Sequence, residues 1–257
     1  MTQNNNQIEP IAQSLQMAVM PSAYILSDQI SLYGEADCIG FGNSEFYVKE
    51  INRDVAIKTI IENHYSKKVY NGTYINLGVF ENKKMVGVLQ YGYAMNPASC
   101  ASVVKDTSMD EYLELNRMWL SDEISVKYPE SRAISFSIKY IKRKFPKIKW
   151  IQSFADERCG GFGIVYQACS FDFYGEHKST FWELENVVYH NTSMTVSKTS
   201  QRYKNNVGGC QYLQINKEKA TQHDLRQFRY IKFLNQKWKK KCLLEQKPYI
   251  KHYADSH

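Results

Sequence analysis

A strand, an amphipathic helix and a second strand follow one another between residues 112 and 155, and this run limits the fold more than any other feature. The segment YLELNRMWL at 112–120 alternates in the manner of a strand, setting Leu113, Leu115, Arg117 and Trp119 on one face. In the helix, Ile134, Ile138, Ile141 and Phe145 recur at i, i+4, i+7 and i+11, while Lys139, Lys142, Arg143 and Lys144 take the other faces. Ser131 stands where an N-cap belongs and Pro146 where the helix must stop. Residues 148–155 then read as a largely buried strand. Such a unit closes as a right-handed crossover between parallel neighbours, so the expected class is α/β with a mixed central sheet flanked by helices.

The flanks supply further elements. Asp54 can cap a helix reaching Tyr65, with Val55, Ile57, Ile60 and Ile61 on its apolar side. Strands at 73–80 and 84–95 are joined by Glu81-Asn82-Lys83, a hairpin signal. Gly160-Gly161-Phe162-Gly163 opens a short helical stretch to about Cys169, and strands are expected at 171–175 and 180–190. Residues 191–216 are polar and turn-rich, 1–20 form a polar lead, and 21–50 carry no secure pattern.

Charge is unevenly spread. Residues 217–252 hold nine Lys and two Arg against three carboxylates, a net +8, whereas the whole chain carries +7. The remainder is therefore −1. In that segment Phe228, Ile231, Leu234 and Trp238 fall close to a helical stripe, which predicts a basic C-terminal helix. Its cations suit phosphates and its aromatics suit stacking, although a basic run also serves as an ordinary solvated face.

Several classes are excluded. No apolar stretch approaches the 18 or so residues of a membrane span, and MTQNNNQIEP lacks the pattern of a secretory leader. The six cysteines are scattered without a CxxC pair, which argues against a zinc or redox motif and leaves reduced thiols as the expectation. Gly40-Phe41-Gly42 and Gly161-Phe162-Gly163 fall short of a dinucleotide fingerprint, and P-loop, GxSxG and HExxH motifs are absent. Asn96-Pro97-Ala98-Ser99 does not match the motif of amino-methyltransferases.

Polar residues gather at element ends, where α/β proteins place their sites. His64, Tyr65 and Asp156 offer nitrogen and oxygen ligands to a transition metal, but spacing alone favours His64 as a helix C-terminal cap, and Asp156 also suits a helix cap. Arg117, amid apolar neighbours, requires an anionic or carbonyl partner. Ser131 and Arg132 open the lysine-rich helix, where backbone N–H groups favour a phosphate. Tyr166 is either a working phenol or a core residue.

The runs IIENHYSKK, LELNRMWL, ESRAIS and SFADERCGGFGIVYQACSFDFYG, with the ending RYIKFLNQKWKKKCLLEQKPYIK, together resemble the bacteriophage Mom family over about residues 46–252. The resemblance implies a GNAT-type acyltransferase fold with three parts: an N-terminal extension at 1–45, a catalytic domain at 46–203 and a basic DNA-binding extension at 204–257. It implies conversion of adenine N6 in duplex DNA to an acetamido (methylcarbamoyl) adduct, which protects the DNA from restriction endonucleases. Acetyl-CoA or a related acyl donor, and iron, are the implied cofactors. Duplex DNA in the cytoplasm of a bacterial host is the implied partner, with a homodimer as the oligomer to test and no membrane.

Carried over residue by residue, His64, Tyr65, Asp156 and Tyr166 are the implied catalytic residues. His64 with Tyr65 or Asp156 would ligate the metal or act as base, and Tyr166 would act as acid. Arg117, Ser131 and Arg132 would hold the donor, while Arg226, Arg229, Lys232, Lys237, Lys239, Lys240 and Lys241 would hold DNA. The glycine-rich pyrophosphate loop of that fold is replaced by YPESRAIS at 128–135, leaving the helix N-terminus and Arg132 as phosphate donors. Two competing readings are a plain N-acetyltransferase acting on a protein or small amine, and a DNA-binding protein with an inactive acyltransferase core.

Overall fold

The computed structural model describes residues 39–157 and 161–250, so the expected N-terminal extension falls almost wholly outside the described residues, as does Cys159. The chain opens with β1 (Gly40–Gly42) and β2 (Phe46–Glu50), followed by α1 (Arg53–Asn63) and the hairpin of β3 (Thr73–Glu81) and β4 (Lys84–Gly92). A single turn, α2 (Cys100–Val103), leads into β5 (Tyr112–Leu120), α3 (Pro129–Lys144) and β6 (Trp150–Asp156). Then come α4 (Ile164–Ala168), β7 (Asp172–Leu184), β8 (Val187–His190) and three short helices, α5 (Asn191–Thr195), α6 (Gln201–Lys204) and α7 (Cys210–Ile215). β9 (Thr221–Phe233) and α8 (Gln236–Lys239) finish the fold.

Nine strands form one sheet in the order β1-β2-β3-β4-β5-β6-β9-β7-β8. All pairs are antiparallel except β5 and β6, the parallel pair expected from the strand–helix–strand run. The main core lies between the sheet and α3 with α4, built around Leu113, Leu115, Ile134, Tyr140, Ile141, Ile151, Phe228 and Tyr230. The opposite face buries a second cluster including Tyr112, Trp150, Ile231 and Phe233, and a third under α1 from Ala56, Ile60 and Val88.

The basic C-terminal segment is not the expected helix. Residues 221–233 form β9, inserted between β6 and β7, and only four residues beyond it are helical in α8. The physical reason is that β9 is buried on both faces: Phe228 and Tyr230 enter the main core while Ile231 and Phe233 enter the second. A strand covered on both sides loses its clean two-residue alternation, and the remaining apolar positions mimic a helical stripe.

Other expectations shift for identifiable reasons. α1 is capped by Asn52, whose side chain accepts from the Asp54 amide at 2.8 Å, so Asp54 lies in the first turn instead. Asn52→Ala is expected to cost about 1 kcal/mol of stability while Asn52→Asp retains it, a difference read directly from urea melts. Ser131 is not an N-cap: α3 begins at Pro129 after left-handed Tyr128, and the Ser131 hydroxyl donates to the Tyr128 carbonyl at 3.1 Å. Proline suits that first position because its missing N–H would have no helical partner. The two strands expected within 171–190 are instead the long β7, with a register shift between Phe173 and Glu176, and the hairpin strand β8.

Among the described residues, Cys100, Cys169, Cys210 and Cys242 are unpaired thiols, and no helix is long and apolar enough to cross a membrane.

Candidate active site

β5 and β6 pair only through Tyr112–Trp150, Leu113–Ile151 and Glu114–Gln152. Beyond that point β5 continues against β4 to Leu120, whereas β6 continues against β9 to Asp156. The two parallel strands therefore part in the middle of the sheet and leave a fork.

The walls of the fork are set by a bulge. Tyr91 and Gln90 of β4 pair with Leu115 and Arg117, leaving Asn116 as an extra residue in β5. Leu113 and Leu115 enter the main core, but after the bulge Met118 and Leu120 do so, and Trp119 packs instead under α1. Arg117 and Trp119 thus lie on the face opposite to Leu113 and Leu115. The single face expected for all four is corrected by one inserted residue.

Glu114 sits at the base of the fork. Its carboxylate accepts from Gln152 Nε2 at 2.8 Å and Asn116 Nδ2 at 3.2 Å. Burial is the largest influence on this carboxyl and raises it to about 7, against the pull of the two amides and of the nearby Arg229 and Arg117 charges. Asn116 Oδ1 and Gln152 Oε1 are buried without a partner, so the amides at the fork are aligned with their donors on Glu114 and their acceptors unsatisfied. Arg229 reaches the cluster from β9, its guanidinium 5.0 Å from the Phe154 ring centroid and its pKa lowered by burial. Phe154 in turn meets His177 edge-on at 5.6 Å, and burial with the Arg229 charge lowers that imidazole.

Arg117 finds the carbonyl partners that its position demands, donating to Asn116 O at 2.6 Å and Lys68 O at 3.5 Å. It also lies 5.8 Å from the Tyr70 ring, whose hydroxyl is raised to about 12 by burial and by the Glu114 charge. The Lys68 contact ties the loop after α1 to the fork, and that loop carries His64 and Tyr65.

His64 is 5% exposed and closes α1, its amide donating to Ile60 O at 3.0 Å, so the capping reading and the site reading describe one residue. Its Nδ1 accepts the Ser66 amide at 3.1 Å and lies 2.8 Å from the Ser66 hydroxyl. An imidazole that accepts at Nδ1 carries its proton at Nε2 when neutral. The Tyr65 ring lies 4.3 Å from the imidazole, tilted by 33°, but the residue is 56% exposed.

Asp156 ends β6 and is 8% exposed; alternation puts it on the same sheet face as Gln152 and Phe154. Of the three residues expected to hold iron, His64 closes α1 with Nδ1 on the Ser66 amide, Tyr65 follows it with its side chain 56% exposed, and Asp156 stands at the end of β6. Among the described residues, no group of three or more His, Cys, Asp or Glu side chains is placed to bind a metal ion.

The donor-side residues lie on the other face. Tyr166, 8% exposed, packs in the main core between Phe171 and Tyr230 at ring distances of 5.6 and 5.4 Å. Arg132 leans over Phe46 at 5.2 Å from the first turn of α3. The loop before α3 has its own internal anion, since Glu81 Oε1 accepts from the Ser125 and Val126 amides at 3.0 Å each. With Pro129 lacking an N–H and Glu130 adding a carboxylate, this helix end does not fit a pyrophosphate cradle.

His64, Tyr65, Arg117 and, by alternation along β6, Asp156 therefore share one face, Ser131, Arg132 and Tyr166 the other, and the fork is the opening between them. Glu114, Asn116 and Gln152 were missed by sequence reasoning. The available signal was a carboxylate between Leu113 and Leu115 in the middle of a strand, where an ionised group is costly.

Of the seven cations expected to hold DNA, five are engaged within the protein, Arg229 among them through Phe154. Arg226 pairs with Glu157 at 2.8 Å and Glu176 at 3.5 Å, Lys239 with Asp172 at 2.9 Å, and Lys241 with Asp106 at 2.9 Å. Lys232 donates to the Cys169 and Ser170 carbonyls at 2.9 and 3.0 Å. Lys237 flanks the Trp238 ring, and Lys240 is exposed.

Among solved structures, the chain resembles ribosomal-protein-S5-alanine acetyltransferase from Vibrio fischeri, with TM-score 0.44 and 14% identity over 78% of this chain and 98% of that one. It also resembles Arabidopsis thaliana NAA60 in complex with acetyl-CoA, with TM-score 0.45 and 8% identity over 74% and 99%. Methylcarbamoylase mom of Escherichia phage Mu is 44% identical over 232 residues, 88% of this chain and 92% of that protein. The model of the Mom protein family matches residues 45–251, which takes in α1, the fork and β9 alike. The chain belongs to the Mom protein family.

Proposed function

We propose that this protein replaces one N6 hydrogen of adenine in duplex DNA with a methylcarbamoyl group, drawing on an acyl-CoA-type donor, and so shields the DNA from restriction endonucleases in a host cytoplasm. The observation that carries the reading is the fork, with a near-neutral carboxyl, Glu114, set between two guanidiniums. A phage Mu relative named methylcarbamoylase supports the transferred group.

The chemistry follows from the adduct. Forming a bond from N6 to carbon displaces one N6 proton, so the site needs a proton acceptor on the substrate side. Glu114, raised to about 7, can hold that proton near neutral pH. Arg117 and Arg229 favour anionic groups beside it, and His64, at the end of α1, orients the base. N6 is inaccessible to such a group inside a duplex, so the adenine is flipped out of the stack. Acyl transfer alone would join N6 to the carbonyl carbon, whereas the adduct joins N6 to the CH2 carbon and ends in an amide, so an acyl-CoA would supply the two-carbon fragment only together with an oxidant acting at that CH2 carbon and an ammonia-class nitrogen donor that displaces the thiolate. Arg132 would offer its side-chain charge to the donor's phosphates, and Tyr166, on the α4 side, would protonate the departing thiolate.

The test is expression in a bacterium followed by challenge of its plasmid with endonucleases that recognise adenine-containing sites. Wild-type protein is expected to confer resistance and His64→Ala to lose most of it. Plasmid cut as readily as the control, from cells rich in folded protein, contradicts the reading.

A further inference from the structure

Resting on the reading that duplex DNA is the substrate, the question is which surface holds the phosphates. The basic C-terminal segment spends Arg226, Arg229, Lys232, Lys239 and Lys241 on contacts within the protein. A charge already paired releases few counterions on binding DNA.

The excursion between β8 and β9, residues 191–219, has the opposite character. It carries Lys198, Arg202, Lys204, Lys217 and Lys219 against one carboxylate, Glu218, and all five cations are exposed. Among the described residues, none of the five forms an ion pair with a carboxylate.

This lobe is ordered rather than a loose loop. Leu213 packs with Leu184 and Tyr189, and Met194 and Ala220 join that cluster. Gln214 Nε2 donates to the Ser193 and Val196 carbonyls at 3.1 and 3.0 Å, and Gln211 Nε2 to Tyr203 O at 2.7 Å. The turn joining α6 to α7 uses Gly208 and Gly209 at φ +68° and +69°. A Cβ on Gly209 would stand 2.7 Å from the Tyr189 ring, so the lobe seats directly on that side chain.

Tyr189 is also the link to the site. Lys68 lies 5.1 Å from its ring centroid and donates to the Val188 carbonyl, and the Lys68 carbonyl receives Arg117. The lobe is thus one residue contact away from the loop bearing His64 and Tyr65.

We infer that the helical lobe 191–219 grips the phosphates flanking the target adenine, and that the part of the basic segment from β9 onward, residues 221–250, does not. Exposed cations on a rigid lobe beside the fork fix the register of the duplex, which is the part phosphate contacts play.

The test is salt-dependent binding of a short fluorescent duplex by the full chain, read by anisotropy. One variant combines Lys198→Gln, Arg202→Gln, Lys204→Gln, Lys217→Gln and Lys219→Gln; the other combines Lys237→Gln, Lys240→Gln and Lys241→Gln. Thermal melts establish that each is folded, and if the fivefold variant melts early, Lys217→Gln with Lys219→Gln alone replaces it. The lobe variant is expected to bind at least about tenfold more weakly, with a salt slope shallower by about 0.9 for each lost phosphate contact. The C-terminal variant is expected to match wild type. Wild-type affinity and slope in the folded lobe variant overturn the assignment while leaving DNA as substrate. Failure of the wild-type chain to bind duplex at low salt overturns the DNA reading and the assignment with it.

Discussion

Glu114→Gln is expected to lower the rate of adenine modification by roughly 10²–10⁴-fold, the usual contribution of a positioned proton acceptor. The substitution keeps the shape of the side chain; its amide oxygen accepts from one of Gln152 and Asn116, and the other turns its unpaired carbonyl oxygen to the new N–H2, so a loss of this size reports the carboxylate rather than the packing. Because Glu114 is raised to about 7, the wild-type rate should climb as pH rises through that value, as the carboxyl loses its proton. The residual rate of Glu114→Gln should lack this limb. Initial rates from about pH 5 to about pH 9 separate the outcomes, since a merely structural Glu114 would leave the pH limb in place.

The same carboxyl gives a stability prediction of opposite direction. Its folded-state value lies above its unfolded value, so ionisation opposes folding as pH rises past the unfolded value, and the penalty is complete above about 7. Glu114→Gln removes it. The variant should gain stability relative to wild type between pH 5 and 8, by an amount on the order of 2 kcal/mol once partial solvent access is allowed for. Urea melts at the two pH values read this difference. An enzyme that becomes more stable and nearly inactive through one isosteric change is the signature of a group strained for function.

Gly163→Ala should produce a large stability loss on the α4 side of the site. Gly163 has φ +83°, and an added Cβ would stand 2.4 Å from Cε2 of Tyr230 and 3.1 Å from Cδ2 of Tyr166. The Tyr230 ring cannot withdraw. It is fully buried, its hydroxyl donates to the Phe162 carbonyl, and the same oxygen accepts from Gln167 Nε2 at 3.0 Å. A left-handed alanine costs about 1–2 kcal/mol and overpacking a fixed ring about 1–3 kcal/mol more, so roughly 2–5 kcal/mol is expected in denaturant melts. A loss below about 0.5 kcal/mol would show that α4 and Tyr230 are free to shift, and that Tyr166 is not held where the donor must meet it.

The centre of the fold was legible because residues 112–155 keep clean periods: two for the strands, 3.6 for the helix, with Pro146 ending it. Legibility failed where burial or local insertion broke the period. β9 is covered on both faces, so Phe228 to Phe233 read as a helical stripe, and a single bulge residue, Asn116, moved Arg117 to the other face of the sheet. The 191–219 lobe showed only as polar and turn-rich, because its helices are four to six residues long and its core borrows Leu184 and Tyr189 from the sheet.

For the site, His64 and Arg117 were visible as polar residues at element ends. Glu114 was not, since a carboxylate inside a strand reads as a solvent-facing residue until β9 supplies Arg229 and the divergence of β5 from β6 buries it. The net charge of the C-terminal segment was counted correctly, but its pairing with Glu157, Asp172 and Asp106 depends on strands distant in sequence and is invisible to composition.

Plasmid DNA from bacteria expressing the chain, digested to nucleosides and analysed by mass spectrometry beside Glu114→Gln, tests the central claim most directly. The account predicts a deoxyadenosine species heavier by one CH2CONH2 group in place of one hydrogen, present with wild type and reduced to trace in the variant. Deoxyadenosine left wholly unmodified by abundant, folded wild-type protein, or modified equally by both proteins, would contradict it.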